Sequence, residues 1–468
     1  MKHFQSLVLI AGLCAASNLF AQAPDAQVRA LPPINDAMAQ PSPPPNGQSV
    51  GQAGPPAAWF PPANAPEPIV PGEIDPSAPR QFGLADLDSI ALANNPTLAS
   101  ANARVQAAQG NWVQVGLYPN PTGGYSTAEI GEVNTAGQQG GMIGQEIVLG
   151  GKLKLNRAIA AQEVRQAEQE REAQTMRVLN DVHAQFYAVL IAQDKVTLAE
   201  RLVGVGNQGV DTTQRLFKAQ EVSRADVLQA RIEANSARIL AENAHNEYLS
   251  AWRSMAAILG MPTLKPAQLV GDVHSGLSTI AWDEALQRIV SCSPEVAAAQ
   301  AAVERSRAAV DRAKAEPIPN VDLQVIGQHD NSTGSNILGV QAVMPIPVWN
   351  RNQGGISKAE AEFIAARGDL ERVQLSLQQR LAVAYERYAN SRHQVERYQQ
   401  NILPDAQASL DLVNEAYHQG EYGYLILLTT QRTYFQTNLA YLDALRQLRE
   451  STVEIDGFLL RGSLQSGN

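Results

Sequence analysis

The chain repeats itself. Asn95-Pro96-Thr97-Leu98 recurs as Ser293-Pro294-Glu295-Val296, and Pro119-Asn120-Pro121 recurs as Pro317-Ile318-Pro319, both 198 residues further on. Later in the unit, Ala219-Gln220-Glu221-Val222-Ser223 aligns with Gln419-Gly420-Glu421-Tyr422-Gly423 at an offset of 200 residues, as does Leu228 with Leu428. So small a drift across a whole unit marks a tandem duplication. Any fold must therefore be built from two units with the same order of elements, placed at 81–279 and 280–468.

That order follows from periodicity. Leu84 to Leu117 is alanine-rich with apolar residues at helical spacing and stops at Pro119 and Pro121, which predicts one helix; its copy runs from about Trp282 to Glu316. Next, Val321, Leu323 and Val325 alternate with Asp322 and Gln324, and Val340, Ala342 and Met344 alternate with Gly339, Gln341 and Val343. These are two strands of a hairpin with its turn at Asp330 to Ser335, matched in the first unit by Gly123 to Val148 around a turn at Gly131 to Gly137. Two very long helices follow, Lys152 to Lys218 and Gln353 to His418, each reaching roughly 100 Å.

Apolar residues in these helices recur at alternating spacings of four and three. The first carries Val178, Val182, Val189, Ala192, Val196, Ala199 and Val203, and the second Leu377, Leu381, Ala384, Tyr388, Val395, Tyr398 and Ile402. A 3.5-residue period calls for coiled-coil packing, and the returning helices, about Arg224 to Leu259 and Tyr424 to Leu460, supply the partners. Gly204 and Gly206 in one copy and Pro404 in the other predict a bend. The hairpin tips fall at Glu221 to Arg224 and Gly420 to Tyr424.

Before the repeats stand two segments of another kind. A basic start, an apolar run from Leu7 to Ala16 and small residues near Ala21 spell a signal peptide over 1–21. Cys14 lies in the apolar run, but Leu13 stands where a lipidation signal wants a small residue, so cleavage after Ala21 is the reading adopted over lipid attachment. Residues 22–80 are crowded with proline and form a non-globular linker, in which Trp59-Phe60 is the one place that could dock. Past the signal only Cys292 remains, which rules out an intramolecular disulfide. A net charge of −10 argues against a nucleic-acid partner.

Four strands cannot close a barrel, and an open sheet edge in lipid leaves backbone groups unsatisfied. Self-association is required. Three copies would supply twelve strands, enough for a hollow structure.

Three segments carry a family resemblance: Asn94-Asn95-Pro96 through Pro119-Asn120-Pro121; Gln145-Glu146-Ile147-Val148-Leu149-Gly150-Gly151-Lys152; and Pro345-Ile346-Pro347-Val348-Trp349-Asn350-Arg351-Asn352-Gln353-Gly354. From about Phe82 to Leu460 the chain resembles the TolC-type outer-membrane efflux family, and within it the heavy-metal resistance branch. The turns Gly150-Gly151-Lys152 and Asn350-Arg351-Asn352 sit where a strand must pass directly into a long helix.

The resemblance implies a mainly α fold with β: a homotrimer with a 12-stranded barrel in outer-membrane lipid and a periplasmic α-barrel of coiled-coil hairpins. It implies a passive exit duct, fed by an inner-membrane pump of the RND type through a periplasmic adaptor, with no cofactor. The Pro-rich linker is not part of the family pattern. Asp226 and Tyr417 match tip positions that in the family hold the periplasmic end closed between protomers, with Gly420, Glu421, Tyr422 and Gly423 in the same ring. Where relatives carry arginine at the second tip this chain has Tyr422, and where some carry aspartate rings it has Ile426 and Thr429. A more apolar constriction follows.

His183, His245, His274, His329, His393 and His418 form no short-spaced ligand cluster, and no metal site is expected. Related channels also export drugs or polypeptides, and that alternative stays open, as does a periplasmic coiled-coil adaptor or structural protein. An exported enzyme finds no support, since no nucleophile elbow, zinc motif or phosphate loop is present.

Overall fold

The structure, a computed structural model, describes residues 81–465 except 132–135, 276 and 278. The signal peptide, Cys14, the Pro-rich linker with Trp59-Phe60, and most of the first hairpin turn lie outside the described residues.

Each unit opens with two helices rather than the single one expected. In the first, α1 (Leu84–Asn94) and α2 (Pro96–Gln114) are separated at Asn95; in the second, α5 (Trp282–Cys292) and α6 (Pro294–Ala315) are separated at Ser293. The cause is the proline. Its ring drives the preceding residue out of the helical region, and Asn95 and Ser293 are extended, with ψ of 120° and 130°. Both then cap the second helix: Asn95 Oδ1 accepts from Thr97 N at 2.9 Å and Ser293 Oγ from Glu295 N at 3.3 Å.

The strands form one antiparallel four-stranded sheet in the order β2 (Thr122–Ala128), β3 (Gln138–Ile147), β5 (Val321–Asp330), β6 (Ser335–Val343). The two hairpins thus join through β3 and β5, leaving β2 and β6 as unpaired edges. A short parallel pair, β1 (Gln81–Phe82) with β4 (Gln268–Leu269), ties the start of the first unit to the segment between the units.

Helix α3 runs unbroken from Lys152 to Lys218 and returns as α4 (Arg224–Ile258). In the second copy α7 (Gln353–Arg397) passes through a π-helical turn (Tyr398–Ile402) into α8 (Leu403–His418) before α9 (Tyr424–Asp456) returns. The interruption therefore falls at the proline and not at the glycines. Pro404 has no N–H and its ring crowds the Gln400 carbonyl, and Leu403 N instead bonds Tyr398 O, five residues back. The π turn also rotates the seam. Ile402, expected on the buried stripe, is exposed, whereas Leu377, Leu381, Ala384, Tyr388 and Val395 before it are buried.

Gly204 and Gly206 sit in continuous helix. Gly206 lets α4 come close, since a Cβ there would lie 3.0 Å from Ala234 Cα. Of the first stripe, Val178, Val182, Val189, Ala192 and Ala199 are buried, and Val196 and Val203 are half-buried.

Helix α3 packs on α2, α4, α6 and α9, and α6 packs on α7, so the helices flank one another in the order of the strands above them. The core is a belt where both units meet, with Leu87, Phe186, Trp252, Ile289, Leu381 and Leu445 among its buried members.

Candidate functional site

Three places bear on function: the two faces of the sheet, the strand-to-helix turns, and the helix tips.

Residues paired across an antiparallel sheet point to the same side, so register sorts the side chains. One face carries Tyr125, Ile143, Val325, Leu338 and Val340. The other carries Thr122, Ser126, Gln138, Gln324, Gln328 and Gln341, with the carboxylates of Glu146, Asp322 and Asp330. The apolar face is open: Ile143, Val340 and Leu338 are 67%, 69% and 76% exposed. None of the four strands contains Lys or Arg. Such a sheet suits lipid on one side and water on the other.

At the first turn Gly150 and Gly151 adopt φ of +71° and +66°, which lets β3 reverse directly into α3. Lys152 is buried, and its Nζ donates to Asn320 Oδ1 at 3.1 Å, while Asn320 Nδ2 donates to Glu146 Oε1 at 2.6 Å. Asn320 thus bonds both Lys152 and Glu146, and with Leu149 N bonded to the same oxygen it clasps the end of β3 to the start of β5. In the second turn Asn352 takes the left-handed conformation of Gly151, with φ +59°, and its Nδ2 donates to Ala313 O at 2.9 Å. Asn350 Oδ1 accepts from Asn352 N, and Gln353 Oε1 from Arg351 N.

At the first tip Ser223 and Asp226 form a capping box. Ser223 N and Oγ donate to Asp226 Oδ2 at 2.9 and 2.7 Å, and Asp226 N donates to Ser223 Oγ at 3.3 Å. These bonds hold the Asp226 carboxyl below its ordinary pKa. A carboxylate so lowered stabilises the tip fully above the free aspartate pKa, about 3.9, and that contribution is lost as pH falls through the lower folded value.

At the second tip Gly420 has φ +80°, and Gln220 fills the same place in the first tip at φ +62°. The Tyr417 ring packs on His418 and Tyr424. Burial pushes the Tyr424 hydroxyl up to about 12, reinforced by Tyr417 and Glu233. It reaches α3 at Gly209, where any Cβ would collide with it. Glu221, Tyr422, Leu425 and Ile426 are exposed or half-buried around the tips. Asp226 and Tyr417 lie in different hairpins; within the described chain the Asp226 carboxylate is bonded to Ser223, and the Tyr417 hydroxyl makes no hydrogen bond.

Sequence reading missed the polar belt that joins the two hairpins. Lys195 of α3, buried, reaches Glu247 of α4 at 2.8 Å and Asp443 of α9 at 2.7 Å. Arg449, 3% exposed, donates from Nε to Val273 O at 2.7 Å and from Nη2 to Ser275 O, with its guanidinium 4.7 Å from the Tyr187 ring centroid. Burial lowers its pKa, against the pull of Tyr187 and Asp272. A signal existed for Arg449. It lies seven residues after Leu442, on the stripe of α9 that also carries Leu445 and Leu448.

The histidines serve separate local roles: His183 meets Asp88 at 3.1 Å, His274 meets Tyr441 at 3.1 Å, and His329 meets Asn336 at 2.9 Å. Among the described residues no three His, Cys, Asp or Glu side chains could hold a metal ion, and no helix is long and apolar enough to cross a membrane.

Comparison with known proteins agrees with this geometry. The family model described as outer membrane efflux protein matches twice, at residues 87–261 and 285–459, once for each unit. The chain is 28% identical over 380 residues to the cobalt-zinc-cadmium resistance protein CzcC of Cupriavidus metallidurans, covering 80% of this chain and 88% of that one. It is 26% identical over 424 residues to the pyoverdine export outer membrane protein OpmQ of Pseudomonas aeruginosa, covering 81% and 85%. Its fold matches the crystal structure of CusC with a TM-score of 0.67 at 20% identity, covering 81% of this chain and 92% of that one. With both repeats matched and the TolC-type fold in place, the chain belongs to the outer membrane efflux protein family and is an outer-membrane efflux channel protomer with a periplasmic helical part.

Proposed function

We propose that three copies of this chain close into a 12-stranded barrel above a helical tunnel, and that the assembly is the exit duct for metal cations. In this arrangement a periplasmic adaptor docks at the tips, and an RND-type inner-membrane pump supplies the energy. The channel itself carries out no chemistry.

Closure is supported by both flanks of the protomer. β2 and β6 each leave one edge unpaired, and the outer helices carry exposed apolar rows: Leu228, Ile232 and Ile239 on α4 at one flank, and Leu375, Val383 and Leu412 on α7 and α8 at the other. Flanks that differ from each other fit a ring of identical head-to-tail contacts. With the apolar sheet face in lipid, the polar face lines the pore.

The cation preference is carried by that lining. Glu146 and Asp322 face inward with no Lys or Arg on any strand, so three copies place six carboxylates along the barrel wall, while the buried Asp330 caps its own hairpin turn through Ser332 and Thr333. A wall of one sign concentrates ions of the opposite sign. The name of the CzcC relative points to the same cargo. Deleting the gene is expected to sensitise cells to divalent or monovalent metal ions more than to organic drugs, with restoration by the gene in trans. Sensitisation to organic drugs with unchanged metal tolerance would assign the channel to drug export instead.

A further inference from the structure

The junction between the two repeats inside one chain is a template for the junction between chains. Inside the chain β3 pairs with β5, so that Ile147 stands opposite Val321 and Gly141 opposite Gly327. In a closed ring the equivalent contact is β6 of one copy against β2 of the next. Strands alternate in direction along the sheet, so this contact is antiparallel as well.

Two offsets carry the register across. Pro119-Asn120-Pro121 maps to Pro317-Ile318-Pro319, 198 residues on, and fixes β2 against β5. Gly151 maps to Asn352, 201 residues on, and fixes β3 against β6, because both are left-handed residues that open the long helix. These offsets pass an internal check. They turn the observed pair Thr122–Gly144 into Asn320 opposite Pro345, which lies on the continuation of the observed register Asp322–Val343.

Applied to the β3–β5 junction, the offsets carry Ile147 to Val348 and Val321 to Gly123. We infer that the interface between copies is sealed by the segment Val343–Val348 running antiparallel to β2 of the neighbouring copy, with Val348 opposite Gly123, Ile346 opposite Tyr125 and Val343 opposite Ala128. This rests on the closed-ring assembly proposed above.

Face chemistry agrees independently with this register. Tyr125 belongs to the apolar face with Leu338, Val340 and Ala342 of β6, and Met344 and Ile346 fall on the same two-residue alternation beyond the strand's end. A slip of one residue would set Ile346 against Gly124 or Ser126 on the polar face. Both partners are largely uncovered in the single chain, Tyr125 at 67% and Ile346 at 78% exposed. The register also accounts for the exposed apolar side chains Met344, Ile346, Val348 and Trp349 that follow β6. Gly123, with open space where a Cβ would stand, tolerates Val348 beside it.

Cysteine pairs in the full-length protein test the register. Exposed Cys292 is first replaced by serine. Tyr125→Cys is then combined separately with Met344→Cys, Ile346→Cys and Val348→Cys, and each variant is oxidised in outer membranes, alone and with a methane-length thiol cross-linker. Directly opposite Cβ atoms lie about 5 Å apart and diagonal neighbours about 7–8 Å, so the 125/346 pair is expected to give covalent dimers and trimers at roughly ten times the yield of the other two. Gly123→Cys with Val348→Cys should link as well, which guards against a 125/346 variant that fails to assemble. Dominance of 125/344 or 125/348 overturns the register, and so does an absence of linking by every pair while amine cross-linking still traps wild-type trimers. If amine cross-linking of wild type traps nothing larger than a monomer, the ring itself is wrong and the register falls with it.

Discussion

Replacing Arg449 by methionine is expected to destabilise the belt by about 2–4 kcal/mol per protomer. Methionine keeps most of the apolar stem but removes the donors that satisfy Val273 O and Ser275 O. Those carbonyls belong to the segment between the repeats, which the buried Arg449 of α9 holds close to Tyr187 of α3. Buried acceptors left without donors cost about 1–3 kcal/mol each, and the cation–π contact with Tyr187 is lost as well. Lysine in its place keeps the charge but not the fork that reaches two carbonyls, so Arg449→Lys should fall between wild type and Arg449→Met. The readout is limited chymotrypsin cleavage after Leu277. At 1.4 kcal/mol per factor of ten, cleavage through local opening should accelerate on the order of 30- to 1,000-fold. A rate within twofold of wild type would mean that the segment between the repeats is held by its other contacts, such as Ile280 N to the Tyr388 hydroxyl at 2.9 Å.

The second large effect is expected at the tip. If Asp226 latches a neighbouring hairpin in the closed trimer, Asp226→Ala should raise the open probability of single channels in planar bilayers roughly tenfold, since three charge-assisted contacts are lost together. Asp226 also caps α4 with Ser223, so the substitution alone does not separate latch from cap. Ser223→Ala does. It removes the hydroxyl from the cap and leaves the carboxylate in place with the backbone N–H of residue 223 as its donor, so it should leave the channel as closed as wild type or more so. Tyr417→Phe tests the other half of the latch, because the ring packing on His418 and Tyr424 survives while a hydroxyl that makes no hydrogen bond among the described residues is removed. Equal opening by Ser223→Ala and Asp226→Ala, with Tyr417→Phe silent, would reduce Asp226 to a helix cap.

How much of this could be read beforehand depended on whether a feature is local. The bounds of α3 were legible because both are set by nearby residues: two glycines at positive φ before Lys152, and a reversal after Lys218. The hairpins were legible because alternation is a property of the strands themselves, and the sheet faces follow from it. The break at Asn95 was overlooked although its cause, the restriction that proline places on its predecessor, lies in the sequence. Residues 260–281 carried no periodicity, because their structure is imposed from a distance: Trp252 Nε1 donates to Leu264 O, the Tyr248 hydroxyl to Ala267 O, and Arg449 to Val273 O. The left-handed Gln220 was hidden for another reason. Glutamine gives no hint of positive φ, and only alignment with Gly420 reveals it.

At the tips the residues named from the sequence are all present at the two helix reversals, yet the contacts expected of them join separate copies. A single chain shows instead what each does alone: Asp226 caps, Tyr417 stacks, and Gly420 turns. The belt residues Lys195 and Arg449 show the converse, being silent in a list of motifs and decisive in the packed protomer.

The central claim is that this chain alone closes into an aqueous pore whose wall favours cations, and reconstitution of the purified full-length protein into planar bilayers under a potassium chloride gradient tests it most directly. Discrete channels with a reversal potential on the cation-selective side are predicted, and Asp322→Lys should move that potential toward the anion side without abolishing conduction. Absence of discrete conductance from protein that cross-links as a trimer, or anion selectivity in wild type, would contradict it.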